Sequence, residues 1–209
     1  MAAQKSTATP PSARKAATHR RILAAVIELM EGPRGADGVS MRAVARLAGV
    51  TPMAIYKHFA DREALLHAAT AAEYARLAGY FKRANERVAV RGLRGMLGYL
   101  DYACDHPHLF RYMFSSSRKD AFAYPVDLRA GRSPTMNILH AVVVRLMEER
   151  TLAKDDTFET SLAIWAHAHG LVSLYLNGRI KMPRAAFRKL YMRSLDRLVI
   201  GLQGRPGQA

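Results

Sequence analysis

Residues 38–59 read GVSMRAVARLAGVTPMAIYKHF. Ser40 is a good N-cap for the helix that follows it, and Gly49 supplies the left-handed residue that ends this helix. Thr51 can cap a second helix whose first position is Pro52, where the missing N–H would have no intrahelical partner. The stretch therefore predicts two short helices joined by a tight turn, which is the pattern of a helix-turn-helix.

Helical patterns extend on both sides of this stretch. Apolar residues recur at helical spacing over most of the chain, whereas the polar segment 116–133 is predicted to be a loop. No segment shows a convincing strand pattern, so the predicted fold class is all-α. The predicted helices outside the opening stretch cover 18–30, 62–83, 91–104, 107–115, 134–149 and 156–177, with a last helix after Pro183.

Composition narrows the choice of partner and compartment. The net charge of +15 favours a polyanionic partner, although RNA or an anionic membrane surface would satisfy charge alone. No apolar run approaches the length of about 18 residues that a membrane span needs, so no membrane insertion is expected. Cys104 is the only cysteine, which excludes an internal disulfide and is typical of a reducing cytoplasm.

The side chains expected on the outside of the two short helices suit duplex DNA. Slim residues along the second helix would let its backbone approach base edges, and Arg42 can bind a guanine or a phosphate. Tyr56 and Lys57 can hold phosphates on either side of the groove, although Lys57 and Arg42 also have an ordinary reading as solvated charges. The alternative for His58 is a structural role in place of a contact to a base. The predicted DNA-binding residues are Ser40, Met41, Arg42, Thr51, Pro52, Met53, Ala54, Tyr56, Lys57, His58 and Arg62.

This segment resembles the DNA-binding domain of the tetracycline-repressor (TetR) family of bacterial regulators. The family often has a second aromatic residue where this chain has Lys57, and a lysine where it has Arg62. Both differences keep the capacity to bind phosphate. The matching residues are Ile22, Ala25, Gly38, Val39, Ser40, Val44, Ala45, Ala48, Gly49, Val50, Ile55, Tyr56, His58, Phe59 and the run 62–66.

The resemblance implies a cytoplasmic homodimeric transcription regulator, most often a repressor, that binds a near-palindromic operator in double-stranded DNA. It also implies that the C-terminal helices bind a small-molecule effector and that the last two helices pair across the dimer. Trp165, His169 and Gly170 resemble a subgroup with a Trp-x-x-x-His-Gly motif. The expected domains are a disordered basic arm at 1–16, a helix-turn-helix domain at 17–64, and a ligand-binding and dimerisation domain at 65–204.

Two further sets of candidate residues come from the C-terminal helices. The first set is apolar or aromatic with a few polar tips, which suits a small-molecule pocket and equally suits an ordinary core. The second set lies on the last two helices and is assigned to the dimer interface, with Tyr191 left unassigned. The pocket candidates are Met96, Tyr99, Phe110, Met113, Leu139, Val143, Trp165 and His169. The interface candidates are Gly170, Ser173, Leu195, Leu198 and Leu202.

Catalytic and metal chemistry find little support in the sequence. Cys104, His106 and His108 are close together, but neighbours two apart on a helix diverge by about 200°, and a fourth zinc ligand is missing. No catalytic residue, metal or cofactor is therefore expected. Two alternatives stay open beside the regulator: an architectural protein that binds DNA of any sequence, and a helical enzyme with a vestigial DNA-binding head.

Overall fold

The computed structural model describes residues 11–86, 93–115 and 121–203. Within these ranges every regular element is a helix, so the predicted all-α class is confirmed. The α-helices are α1 (Pro11–Glu31), α2 (Met41–Ala48), α3 (Pro52–Tyr56), α4 (Arg62–Glu86), α5 (Met96–Asp105), α6 (Pro107–Met113), α7 (Val126–Arg129), α8 (Pro134–Glu148), α9 (Thr157–Leu176) and α10 (Arg184–Leu202).

Three helices differ clearly from the prediction. Helix α5 begins at Met96 rather than at residue 91. Helix α1 begins at Pro11 rather than near residue 18, so residues 11–16, assigned to the disordered arm, are helical. Alanine, arginine and lysine in this segment are strong helix formers, and they extend the helix beyond its apolar stripe. Residues 1–10 of the predicted arm lie outside the described residues. Helix α7 lies inside the segment 116–133 that was predicted to be a loop.

The chain divides into two compact units, residues 1–71 and residues 72–209. The division falls inside α4, which therefore contributes residues to both units. The predicted boundary between residues 64 and 65 falls inside the same helix, and it stays a prediction.

The first unit is built on a small apolar core. Helix α1 packs against α2, and α2 packs against α3. Ile22 and Val26 of α1 are buried with Val44 of α2, Ile55 of α3 and Phe59. Because Ile55 is buried on one side of α3, the opposite side of this helix faces solvent and is the side that a partner can reach.

The turn between α2 and α3 needs glycine at position 49. Gly49 has φ +62°, and a Cβ built on it would lie 2.9 Å from Nη2 of Arg21. Helix α1 supplies that arginine, whose guanidinium donates to the backbone carbonyls of Ala48 and Gly49. The turn is therefore closed by a cation at the carbonyl end of α2, which also complements the helix dipole.

We expect Gly49→Ala to lower the free energy of unfolding by roughly 1–2 kcal/mol for the backbone alone, with a further loss from displacing Arg21. Gly178→Ala is the matched control, because Gly178 has φ +68° and a Cβ there would meet nothing within 4 Å. Urea unfolding monitored by circular dichroism measures both variants. Equal destabilisation of the two variants would show that the Arg21 contact contributes nothing.

The second unit surrounds a core of large aromatic residues. Helix α5 packs against α6, α9 and α10, while α9 also packs against α8 and α10. Tyr99 and Tyr102 of α5 and Phe187 and Tyr191 of α10 are at most 1 % exposed. None of the helices among the described residues has both the length and the apolar character needed to cross a membrane.

Candidate nucleic-acid interface and effector cavity

The N-terminus of α2 presents a serine hydroxyl and an arginine to solvent. Oγ of Ser40 accepts a hydrogen bond from the backbone N–H of Ala43 at 3.1 Å, so the serine caps the helix as its position predicts. The hydroxyl proton can still be donated to another oxygen. Met41 is half-buried, and Arg42 is exposed. A helix N-terminus with an adjacent exposed guanidinium can bind a phosphate oxygen.

Helix α3 exposes a slim face. Oγ1 of Thr51 accepts from the backbone N–H of Ala54 at 3.2 Å, and Pro52 occupies the first helical position. Met53 is 68 % exposed and Tyr56 is 53 % exposed, whereas Ala54 is half-buried. A large apolar side chain this exposed at the start of a short helix is available to a base edge, including a thymine methyl.

The end of α3 carries one exposed cation and one packed imidazole. Lys57 is exposed and follows the last turn. His58 is half-buried, with its ring centroid 5.7 Å from that of His19. Burial lowers the pKa of His58, and the nearby charges of His19 and Lys15 lower it further. The imidazole is therefore neutral at pH 7, which favours the structural reading of His58 over a role as a phosphate-binding cation.

The structure gives Arg62 a different task from the one predicted. Its Nε donates to the carbonyl of Val39 at 2.8 Å, and its Nη2 donates to the carbonyl of Ala36 at 2.7 Å. These bonds tie the first turn of α4 to the loop that leads into α2. Arg62 thus positions α2, and a phosphate contact would have to use its remaining N–H groups.

The role of Arg21 is not evident from the sequence. It is one of two arginines on the predicted first helix, and nothing in its local pattern marks it as a contact to the α2–α3 turn. Only the packing of α1 against α2 brings its guanidinium to the carbonyls of Ala48 and Gly49.

The second unit contains a partly open cavity of about 160 Å³. Five of the predicted pocket residues line it: Met96, Tyr99, Met113, Leu139 and Trp165. The cavity wall also contains residues that were not assigned to it. Tyr74 and Phe81 lie on the predicted helix 62–83, but nothing in the sequence pointed to them or to the others as cavity residues. The further lining residues include Tyr74, Phe81, Phe114, Phe122, Ser133 and Thr135.

The other three pocket candidates lie in the surrounding core. Phe110 and Val143 are buried and do not line the cavity. His169 lies behind the cavity wall, where its Nδ1 is 2.8 Å from the hydroxyl of Tyr99. Nε1 of Trp165 donates to the same hydroxyl at 3.2 Å.

The protonation states of His169 and Tyr99 follow from their burial. Burial lowers the pKa of His169 and raises the pKa of Tyr99 well above its ordinary value, so both groups are neutral at pH 7. The Tyr99 hydroxyl accepts from Nε1 of Trp165, and the tautomer of His169 sets which partner donates in the Tyr99–His169 hydrogen bond. Both of these contacts are internal, so the Tyr99 hydroxyl is already hydrogen-bonded on two sides within the protein.

One residue that was predicted to lie in the dimer interface lies in the core of the single chain instead. Leu195 is fully buried within a single chain, so it belongs to the core and not to a surface that a partner can reach. The other interface candidates, Gly170, Ser173, Leu198 and Leu202, are half-buried. Large apolar side chains do reach solvent on these helices, since Leu174 is 47 % exposed and Ile200 is 66 % exposed.

The helix-turn-helix of the first unit, joined to a helical unit that holds a cavity, defines the class as a DNA-binding transcription regulator. Residues 22–69 match the sequence model of the family described as "Bacterial regulatory proteins, tetR family". Residues 93–198, about half of the chain, match that of the "Tetracyclin repressor-like, C-terminal domain". The chain belongs to the tetracycline-repressor (TetR) family of transcriptional regulators.

Solved structures share the whole architecture. A protein of unknown function from Rhodococcus sp. RHA1 is 25 % identical, with a TM-score of 0.75 over 97 % of this chain and 100 % of that one. A TetR-family transcriptional regulator from Pectobacterium atrosepticum is 18 % identical, with a TM-score of 0.65 over 94 % of this chain and 100 % of that one, and this likeness concerns the fold alone. No curated protein compared with the sequence matches it significantly.

Proposed function

We propose that this chain is a ligand-responsive repressor that binds a near-palindromic operator as a homodimer in the bacterial cytoplasm. The observation that carries the proposal is the exposed face of α3, where Thr51, Met53 and Tyr56 face solvent while Ile55 is buried on the other side. In this arrangement α3 enters the major groove of one half-site. The N-terminus of α2, with Ser40 and Arg42 on it, binds the flanking phosphate backbone.

We assign a separate role to each predicted DNA-binding residue. Thr51, Pro52, Met53 and Ala54 read base edges, because they form the slim part of α3. Tyr56 and Lys57 bind phosphates beyond the groove. Met41, His58 and Arg62 hold the two helices in place, as their burial or internal hydrogen bonds suggest.

The homodimer forms through α9 and α10. A stripe of small residues on α9 ends in an exposed leucine: Ala163, Ala166, Gly170 and Leu174 follow one another at spacings of three or four residues. A Cβ built on Gly170 meets nothing within 4 Å in the single chain, which leaves space for a helix of a second copy. The operator of such a dimer would carry two half-sites one DNA turn, about 34–36 Å, apart.

The effector binds in the cavity of the second unit. A ligand can release the operator only if it binds the released state of the dimer more tightly than the DNA-bound state. Helix α4 is suited to couple the two events, because it contributes residues to the cavity wall and to the first unit. The proposed domains remain 17–64 for DNA binding and 65–204 for effector binding and dimerisation.

The Trp-x-x-x-His-Gly motif has a physical basis in this proposal. Trp165 and His169 both bind the hydroxyl of Tyr99, so the motif fixes a cavity-wall tyrosine, while Gly170 provides the open position toward a partner. We propose that these three residues mark a subgroup of the family.

Arg42→Ala and Tyr56→Phe are expected to weaken operator binding without changing the oligomeric state. Loss of the Arg42 guanidinium should lower affinity about tenfold or more, and loss of the Tyr56 hydroxyl a few-fold. Arg145→Ala is the matched control, because it removes an equal charge from an exposed position on α8. Footprinting on the DNA upstream of the protein's own gene measures all three variants. Unchanged footprints for Arg42→Ala and Tyr56→Phe would contradict the docking of α2 and α3.

The same footprinting experiment distinguishes the proposed repressor from an architectural DNA-binding protein. Such a protein would bind all sequences with similar affinity and a steep dependence on salt, and it would leave no discrete footprint.

A further inference from the structure

The wall of the cavity in the second unit is dominated by aromatic rings and thioethers. Its rings come from Tyr74, Phe81, Tyr99, Phe114, Phe122 and Trp165. Met96, Met113 and Met136 add polarisable sulfur atoms, which make favourable contacts with the edge of an aromatic ring. Among the described residues that line the cavity, none carries a charged side chain.

The volume of the cavity limits the size of what it can hold. A volume of about 160 Å³ is close to that of an engineered apolar cavity of about 150 Å³ that binds benzene. A molecule with one six-membered ring and one small substituent therefore fills the space. A fused two-ring molecule would have to displace side chains from the wall or extend through the open side of the cavity.

Hydroxyl groups supply the polar part of the site. The Tyr99 hydroxyl is already engaged with Trp165 and His169 inside the protein. Ser133 and Thr135, at the start of α8, also line the cavity. Oγ of Ser133 accepts from the backbone N–H of Met136 at 3.4 Å, which leaves its proton to donate. These hydroxyls can satisfy one polar substituent on an otherwise apolar molecule.

Charge on the ligand is disfavoured by the same wall. An anion would lose its hydration without meeting a cationic side chain among the described lining residues, and a cation would lose its hydration without a carboxylate. Ring faces attract a cation, but this attraction is small compared with the cost of removing an ammonium group from water.

We propose that the cavity takes a neutral, single-ring aromatic molecule that carries one hydrogen-bonding oxygen, with the ring against Trp165 and the oxygen toward Ser133 and Thr135. This inference rests on the proposed function of the cavity as the effector site, and it specifies the chemical class of the effector.

Trp165 provides a direct readout, because it is the only tryptophan in the chain and its side chain lines the cavity. The full-length protein is titrated with benzyl alcohol, benzoate and benzylammonium, which share one ring and differ in charge, and Trp165 fluorescence is followed. We expect saturable binding of benzyl alcohol, with benzoate and benzylammonium at least about tenfold weaker. Tighter binding of either ion, or no saturable binding of benzyl alcohol, would overturn the assignment.

Thr135→Val tests the polar contact while it keeps the shape of the side chain. The substitution should weaken the binding of benzyl alcohol about two- to tenfold and leave the binding of toluene unchanged. Leu139→Trp should fill the cavity and abolish the binding of both molecules. Equal loss of benzyl alcohol and toluene in Thr135→Val would contradict a hydroxyl contact at that position.

Operator binding separates this inference from the proposed function. If the protein binds its operator but no neutral single-ring molecule binds the cavity, the chemical class is wrong and the regulator stands. If benzyl alcohol binds the cavity but the protein shows no sequence preference on DNA, the chemical class stands and the regulator is wrong.

Discussion

Leu174→Glu is expected to give a folded monomer whose affinity for the operator is lower by about a thousandfold or more. Leu174 is 47 % exposed on α9, so a glutamate there meets water in a single chain and the fold of the protomer is kept. In a dimer paired through α9 and α10, the same glutamate would be buried without a partner, which disfavours association by several kcal/mol. A monomer engages only one half-site and loses the contribution of the second.

Leu195→Glu provides the contrast. Leu195 is fully buried within the single chain, so a glutamate there places a carboxylate in the core and should lower the free energy of unfolding by more than about 4 kcal/mol. Sedimentation and thermal unfolding measured on both variants separate the two effects. An intact Leu174→Glu dimer with normal operator affinity would show that α9 does not form the interface at this point.

Met53→Glu is expected to lower operator affinity about a hundredfold or more while the fold stays unchanged. Met53 is 68 % exposed at the start of α3, so the substitution disturbs no core contact. If α3 enters the major groove, the new carboxylate lies among phosphates and base acceptors, and a like charge placed this close costs several kcal/mol. The loss should shrink as salt is raised, because screening weakens the repulsion.

Val126→Glu is the control for Met53→Glu. Val126 is 67 % exposed in the second unit, and the substitution makes the same change in net charge. Fluorescence anisotropy with a labelled operator measures both variants. If the two substitutions weaken binding equally, the effect comes from net charge, and α3 has no special place in the groove.

The helix-turn-helix could be predicted from the sequence because local rules determine it. Ser40 and Thr51 cap their helices and Gly49 adopts the left-handed conformation, as their positions indicated. Each of these features depends on residues no more than four apart. Arg21 and Arg62 have tasks that depend on contacts more than 20 residues away in the chain, and no local pattern encodes them.

The C-terminal unit was less predictable for a related reason. Helical spacing identifies an apolar face, but it does not say which neighbour covers that face. Leu195 and Leu174 both lie on apolar stretches of the last two helices, yet one is buried within the chain and the other is exposed. Likewise, Val143 and Met96 were equal candidates for the pocket, and only the packing of the surrounding helices separates core from cavity wall.

The most direct test of the proposed regulator is a competition experiment at physiological salt. An operator is first selected from random duplexes with the full-length protein, and the bound, labelled operator is then challenged with unlabelled operator or with a shuffled duplex of equal length and composition. The shuffled duplex should compete at least about a thousandfold less well than the operator. Equal competition by the two duplexes would contradict sequence reading by α3 and would favour binding by charge alone.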